Sequence, residues 1–125
     1  MGDPRHVLGL AAEEAVAGWL AAAGWQILAR RWKVPEGELD LVALDPDAVL
    51  VGVEVRARRT TRTGGAAASL DRRHVARRRA ALVRYVAAGA PPHRGLRLDL
   101  VTVEPAHDEA GRRWCATRLP AIDAW

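Results

Sequence analysis

The sequence predicts an α/β protein built on a mixed sheet, in the order helix, three strands, helix, two strands. Three observations carry that reading. An alanine-rich N-terminal stretch places apolar residues at helical spacing, a valine-dense run from Ala48 to Ala57 reads as extended chain, and an arginine-rich segment further on returns to helical periodicity. A meander of three strands followed by a helical crossover implies a mixed sheet with helices packed on it. No linker divides the 125 residues, and half of them are apolar, so a single domain over 1–125 is expected.

The first helix is predicted over His6–Ala23, with Leu8, Ala12, Val16, Trp19, Leu20 and Ala23 on one side, Asp3 as N-cap and Gly24 as the stop. Glu14 then points away from the apolar face, whereas Glu13 lies about 80° from its centre, on the flank. Trp25–Trp32 reads as a first strand ending in the turn-rich Lys33–Gly37. Glu38–Leu44 forms a second strand, Asp45-Pro46-Asp47 a turn, and Ala48–Ala57 the third strand. That turn makes strands two and three a hairpin and sets Asp40 across from Val53 or Glu54. Glu38 shares a face with Asp40, and Glu54 shares one with Arg56. Arg58–Ala68 reads as a mobile basic loop. Ser69 caps a second helix, Asp71 sits in its first turn and Gly89 ends it. Strands at Leu96–Glu104 and Trp114–Leu119 close the chain.

Composition excludes several classes of function. No apolar run is long enough to span a membrane, and Glu13 and Glu14 interrupt the only stretch resembling a leader, so neither a membrane partner nor a signal peptide is expected. The single cysteine, Cys115, excludes an internal disulfide or a multi-cysteine metal site, and a cytoplasmic location is the default. The formal charge is +4, carried by eighteen arginines and one lysine. A high-GC genome produces the same bias without functional meaning, so the clustering at Arg56–Arg62 and Arg72–Arg84 carries more information than the total. Basic clusters beside an acidic pocket suit a polyanion such as nucleic acid.

Asp40 and Glu54 are the strongest chemical candidates, because both are carboxylates inside β-branched runs. Buried together they repel, which favours a divalent cation between them or a raised pKa on one. Oxygen-only ligation points to Mg²⁺ or Mn²⁺ rather than zinc. The bland alternative is an ion-pair network in which Arg56 or Arg58 neutralises both acids. The four histidines form no metal-ligand pair, and no nucleophile elbow or phosphate-binding glycine loop is present. Trp19, Trp25 and Trp32 read as core or core-edge residues.

The ordered blocks Leu8-Gly9 with Glu13, Gly24-Trp25-Gln26-Ile27-Leu28-Ala29-Arg30, Gly37-Glu38-Leu39-Asp40-Leu41-Val42 and Val51-Gly52-Val53-Glu54-Val55-Arg56-Ala57-Arg58 resemble the YraN family (UPF0102). The resemblance continues through the second helix and Arg97–Val101 to Ala121–Trp125, covering nearly the whole chain. It implies a restriction-endonuclease-like fold, akin to PD-(D/E)xK nucleases and Holliday-junction resolvases. Carried over by position, it implies Glu13, Asp40 and Glu54 as ligands of Mg²⁺ or Mn²⁺, Arg56 as the fourth catalytic residue and Glu38 as an outer-shell group. It also implies a nucleic-acid partner, DNA and branched DNA among the candidates, and a homodimer as resolvases form.

Arg56 departs from the family pattern, which has lysine there; His74 and Ala12 are further departures. Arginine stays protonated, so it stabilises charge but cannot act as a base. Two functions are therefore expected. One is a Mg²⁺-dependent nuclease, with Arg58, Arg59, Arg62, Arg72, Arg73, Arg77 and Arg84 holding nucleic-acid phosphates. The other is a binding module that keeps the nuclease fold without cutting.

Overall fold

The valine-dense segment takes the middle of the sheet. The computed structural model describes residues 4–57, 71–108 and 111–124. Along the chain it has α1 (Pro4–Ala22), β1 (Gln26–Val34), β2 (Gly37–Leu44), β3 (Leu50–Ala57), α2 (Arg72–Ala87), β4 (Leu96–Asp108), β5 (Gly111–Leu119) and a short 3-10 turn at Ile122–Ala124. The five strands lie in the order β1-β2-β3-β4-β5. Only β3 and β4 run parallel, as a helical crossover between them requires, and the other three pairs are antiparallel. The expected mixed α/β sheet is therefore present.

β3 is buried on both faces because each face meets a helix. On one face Ala12, Val16, Ala17 and Leu20 of α1 pack with Leu41, Val51, Val53, Val101 and Val103. On the other, Ala81 and Leu82 of α2 pack with Leu39, Val42, Leu50, Leu98, Leu100 and Ile122. Period-two alternation accounts for the split in β4, where Leu98 and Leu100 face α2 while Val101 and Val103 face α1. Two glycines permit close approach on the α2 face. A Cβ on Gly52 would lie 2.9 Å from a methyl of Leu98, and one on Gly37 would lie 2.9 Å from the carbonyl oxygen of Arg77. Gly37 thus lets α2 rest on the start of β2.

Several expected boundaries move. α1 presents Ala12, Val16, Ala17 and Leu20 inward, so Trp19 is exposed rather than in the core. At 100° per residue that stripe centres about 35° from Glu13, which therefore turns from the flank toward the sheet. β1 runs on through Lys33 and Val34, leaving only Pro35 and Glu36 for the turn. Asp71, not Ser69, caps α2, its Oδ1 accepting the His74 N–H at 2.9 Å. Gly89 follows the helix at φ 116°, a conformation glycine adopts without strain. β4 and β5 are longer than expected. Among the described residues the last β3–β4 pair is Ala57 with Val103, and Pro105 pairs with Trp114 of β5. The expected basic loop at 58–68 lies outside the described residues.

Candidate functional site

The β2–β3 pairing runs from Leu41 with Val53 to Leu44 with Leu50, one of the registers the turn implied. The turn is built by Asp45, whose Oδ1 accepts the N–H groups of Asp47 and Val49 at 2.9 Å each. The regular pattern breaks at Asp40. Leu39 packs toward α2 and Leu41 toward α1, although strict alternation would give them one face. Instead of extending the ladder, Asp40 accepts the Val55 N–H on its own Oδ2 at 2.8 Å. Opposite it on β1, between the pairs Arg30 with Leu41 and Trp32 with Leu39, stands Arg31 at φ 53°. A left-handed arginine facing a displaced aspartate is a local strain of the kind that functional sites retain.

This break gathers acids from three elements. The charges of Glu54 on β3 and Glu13 on α1 both act on Asp40. Burial and the charge of Glu54, with a smaller contribution from Glu13, push the Asp40 carboxyl up to about 8, against the pull of the Val55 N–H. Burial also raises Glu13, with Glu38 and Glu54 acting in the same direction and Arg31 opposing them. Glu38 is thus a charged neighbour of the cluster. Glu14 is exposed and pairs with Arg30, a solvent-side contact.

Glu54 has a different environment from Asp40. It is buried and accepts from Arg78 of α2 through Nε–Oε2 at 2.6 Å and Nη2–Oε1 at 3.0 Å. Arg56 adds Nη2–Oε1 at 3.1 Å, while its own buried Nε has no acceptor. The shared face expected for Glu54 and Arg56 is therefore present, and the ion-pair alternative holds for Glu54 through Arg56 together with Arg78. Among the described residues no ion pair joins Asp40 to an arginine, although the charge of Asp40 acts on the Arg78 guanidinium alongside that of Glu54. Sequence reasoning missed Arg78 as a partner. The available signal was its place on the apolar side of α2, among Val75, Leu82 and Tyr85, where an arginine has to find an acid.

Of the expected phosphate contacts, Arg72, Arg73, Arg77 and Arg84 are exposed on α2. Arg84 lies 3.4 Å from Glu36, and Arg58, Arg59 and Arg62 fall outside the described residues. His74 pairs with Asp71 at 2.9 Å. Among the described residues no group of three or more His, Cys, Asp or Glu side chains is placed so that it could hold a metal ion. The donors of Glu13, Asp40 and Glu54 are all oxygens, the chemistry that a hard divalent cation takes.

A second buried carboxylate lies further along the sheet. Asp99 is wholly inaccessible and accepts from Arg97 through Nε–Oδ1 at 2.7 Å and Nη2–Oδ2 at 3.0 Å, from Arg118 at 2.8 Å and from the Ala121 N–H at 3.0 Å. Arg97 also reaches Asp45 at 3.0 Å, and both guanidiniums lie over the Trp25 ring, at 5.9 and 5.4 Å from its centroid.

The fold and this site describe an α/β protein with a five-stranded mixed sheet and an acidic centre where the β2–β3 hairpin meets α1 and α2. The chain belongs to the uncharacterised protein family UPF0102, whose model matches residues 12–103. It is 36% identical over 120 residues to a UPF0102 protein of Methylococcus capsulatus, covering 96% of each chain. A relative from Beutenbergia cavernae is 35% identical over 99 residues, covering 79% of this chain and 83% of its own. One from Bordetella avium is 42% identical over 102 residues, covering 82% and 70%. The matched region contains Glu13, Asp40, Glu54, Arg56 and Arg78. No described helix is long and apolar enough to cross a membrane.

Proposed function

We propose that this chain is a divalent-cation-dependent nuclease of restriction-endonuclease-like fold that hydrolyses phosphodiester bonds in DNA. The observation that carries the reading is the convergence of Glu13, Asp40 and Glu54 from three elements, with the Asp40 carboxyl held near 8. Burial and mutual repulsion raise the Asp40 and Glu13 carboxyls, and a cation bound there would relieve the repulsion. Glu13, Asp40 and Glu54 are the residues that would hold Mg²⁺ or Mn²⁺. The ion, when bound, supplies Lewis-acid activation of the phosphate and of water.

The chain's own groups do the rest. The Val55 N–H fixes the direction of Asp40. Arg56, permanently protonated, contributes charge and hydrogen bonds to a phosphate oxygen rather than accepting a proton, and its buried, unpartnered Nε is a donor available for that contact. Arg72, Arg73 and Arg77 line the exposed side of α2, where they suit the backbone of a bound strand.

Arg56 in the lysine position also favours a second reading, a module that binds nucleic acid without cutting it. One experiment separates the two. Plasmid and branched DNA are incubated with Mg²⁺ or Mn²⁺ and wild type, Asp40→Ala or Glu54→Ala, with circular dichroism confirming the fold. Cleavage by wild type that both variants lose supports the nuclease. Salt-dependent binding without cleavage, joined by a gain of cutting in Arg56→Lys, supports the binding module. Metal-independent cleavage retained in both variants would falsify the site.

A further inference from the structure

Positive charge reaches this site from Arg31 near Glu13 and, in direct contact, at Glu54. Two guanidiniums meet at Glu54, whose Oε1 accepts from Arg78 and lies 3.1 Å from Arg56 Nη2, and whose Oε2 accepts the short 2.6 Å bond from Arg78 Nε. A carboxylate so engaged has little lone-pair capacity left for a metal. Arg78 is anchored for this contact. It projects from the apolar side of α2, its Nη1 donates to the His74 carbonyl at 3.3 Å, and Gly37 lets the helix lie close enough to the sheet for the reach. Arg73 and Arg77, on the same helix, are exposed.

We infer that Arg78 is an exchangeable counter-ion: it stands at Glu54 in place of the divalent cation and passes to a backbone phosphate of the bound strand when the cation arrives. The inference rests on the cation-site reading above and assigns to that site a residue and a coupling. Cation and guanidinium compete for the same two oxygens, so Arg78 weakens cation binding in the free protein. Once displaced, its planar fork matches the phosphate oxygens of a strand lying along α2. Nucleic acid, by holding Arg78 away from Glu54, strengthens cation binding, and the cation strengthens nucleic-acid binding by the same factor. A site wired in this way binds the cation weakly until the polyanion is present. Arg78 acts here as a positioning residue whose partner changes.

Titration calorimetry with Mn²⁺ tests this on wild type, Arg78→Gln and Arg78→Lys, each alone and with a phosphorothioate duplex that resists cleavage. Arg78→Gln is expected to bind Mn²⁺ about tenfold more tightly than wild type without DNA, and to lose the enhancement that DNA gives wild type. Arg78→Lys, able to engage only one oxygen at a time, is expected between the two. Circular dichroism reports folding. Should Arg78→Gln fail to fold around an uncompensated Glu54, Arg78→Lys keeps the charge, and its gain over wild type decides the matter. Wild-type binding of Mn²⁺ with no gain in the folded variant overturns the counter-ion and leaves the cation site standing. Absence of Mn²⁺ binding in every protein, with and without DNA, overturns the cation site and this inference together.

Discussion

Asp40 and Asp99 are both strand aspartates within a few residues of arginine, and they have opposite surroundings. Asp99 receives four hydrogen bonds, from Arg97, Arg118 and the Ala121 N–H, which tie β4, β5 and the C-terminal turn to one buried charge. Asp40 accepts one backbone N–H, and burial together with the charges of Glu54 and Glu13 pushes its carboxyl up to about 8. A saturated buried acid holds the fold together, whereas an unsaturated one among like charges costs stability and is a marker of function.

The largest expected effect breaks the saturated side of this comparison. Asp99→Ala leaves Arg118 without its buried partner and Arg97 with Asp45 alone, and is expected to lose about 3–5 kcal/mol in urea denaturation, with unfolding at room temperature the extreme outcome. Asp40→Asn should act in the other direction. Because the folded pKa lies above the unfolded value of 3.8, the folded state binds the extra proton between pH 4 and 8. The ionised carboxyl therefore costs nothing below pH 4, and its penalty grows as pH rises toward 8. Wild type is expected to lose stability relative to Asp40→Asn across that window, by at most about 1.4 kcal/mol per pH unit, with little further change above it. Melting curves of the two proteins at a series of pH values check the sign.

A smaller change sharpens the cause of the Asp40 shift. Glu54→Gln removes the neighbouring charge but not the burial, so the Asp40 carboxyl is expected to fall below 8 and stay above its ordinary value, as followed by carbon NMR. Arg84→Ala is the smallest. Its 3.4 Å contact with Glu36 is exposed, so stability should change by less than about 0.5 kcal/mol, while the salt slope of DNA binding falls by about one.

The hairpin was readable because Asp45-Pro46 fixes both the turn and the register, and because acids in valine-rich runs are conspicuous. Helix phase nominated Glu13 but misjudged its direction. The buried stripe includes Ala17, whose small side chain lets the helix lie close to the sheet, and leaves out the exposed Trp19, so the inward face lies nearer Glu13 than the apolar spacing implies. Arg78 was hidden for another reason. Its partner lies twenty-four residues away across the crossover, and no local pattern records which acid a core-facing arginine will meet. The β4–β5 ribbon was underestimated because the described β5 side chains from Gly111 to Arg118 are exposed, leaving no alternation to detect. The strain at Arg31 likewise left no mark in composition.

The central claim is that the unsaturated acids around Asp40 form a cation site. It is tested most directly by calorimetric titration of Mn²⁺ into wild type and Asp40→Asn between pH 6 and 8.5. One-site binding is expected in wild type, weakening as pH falls below about 8 because the proton on Asp40 competes with the metal, and it should be lost in Asp40→Asn. Equal Mn²⁺ binding by the two proteins, with no dependence on pH, would contradict it.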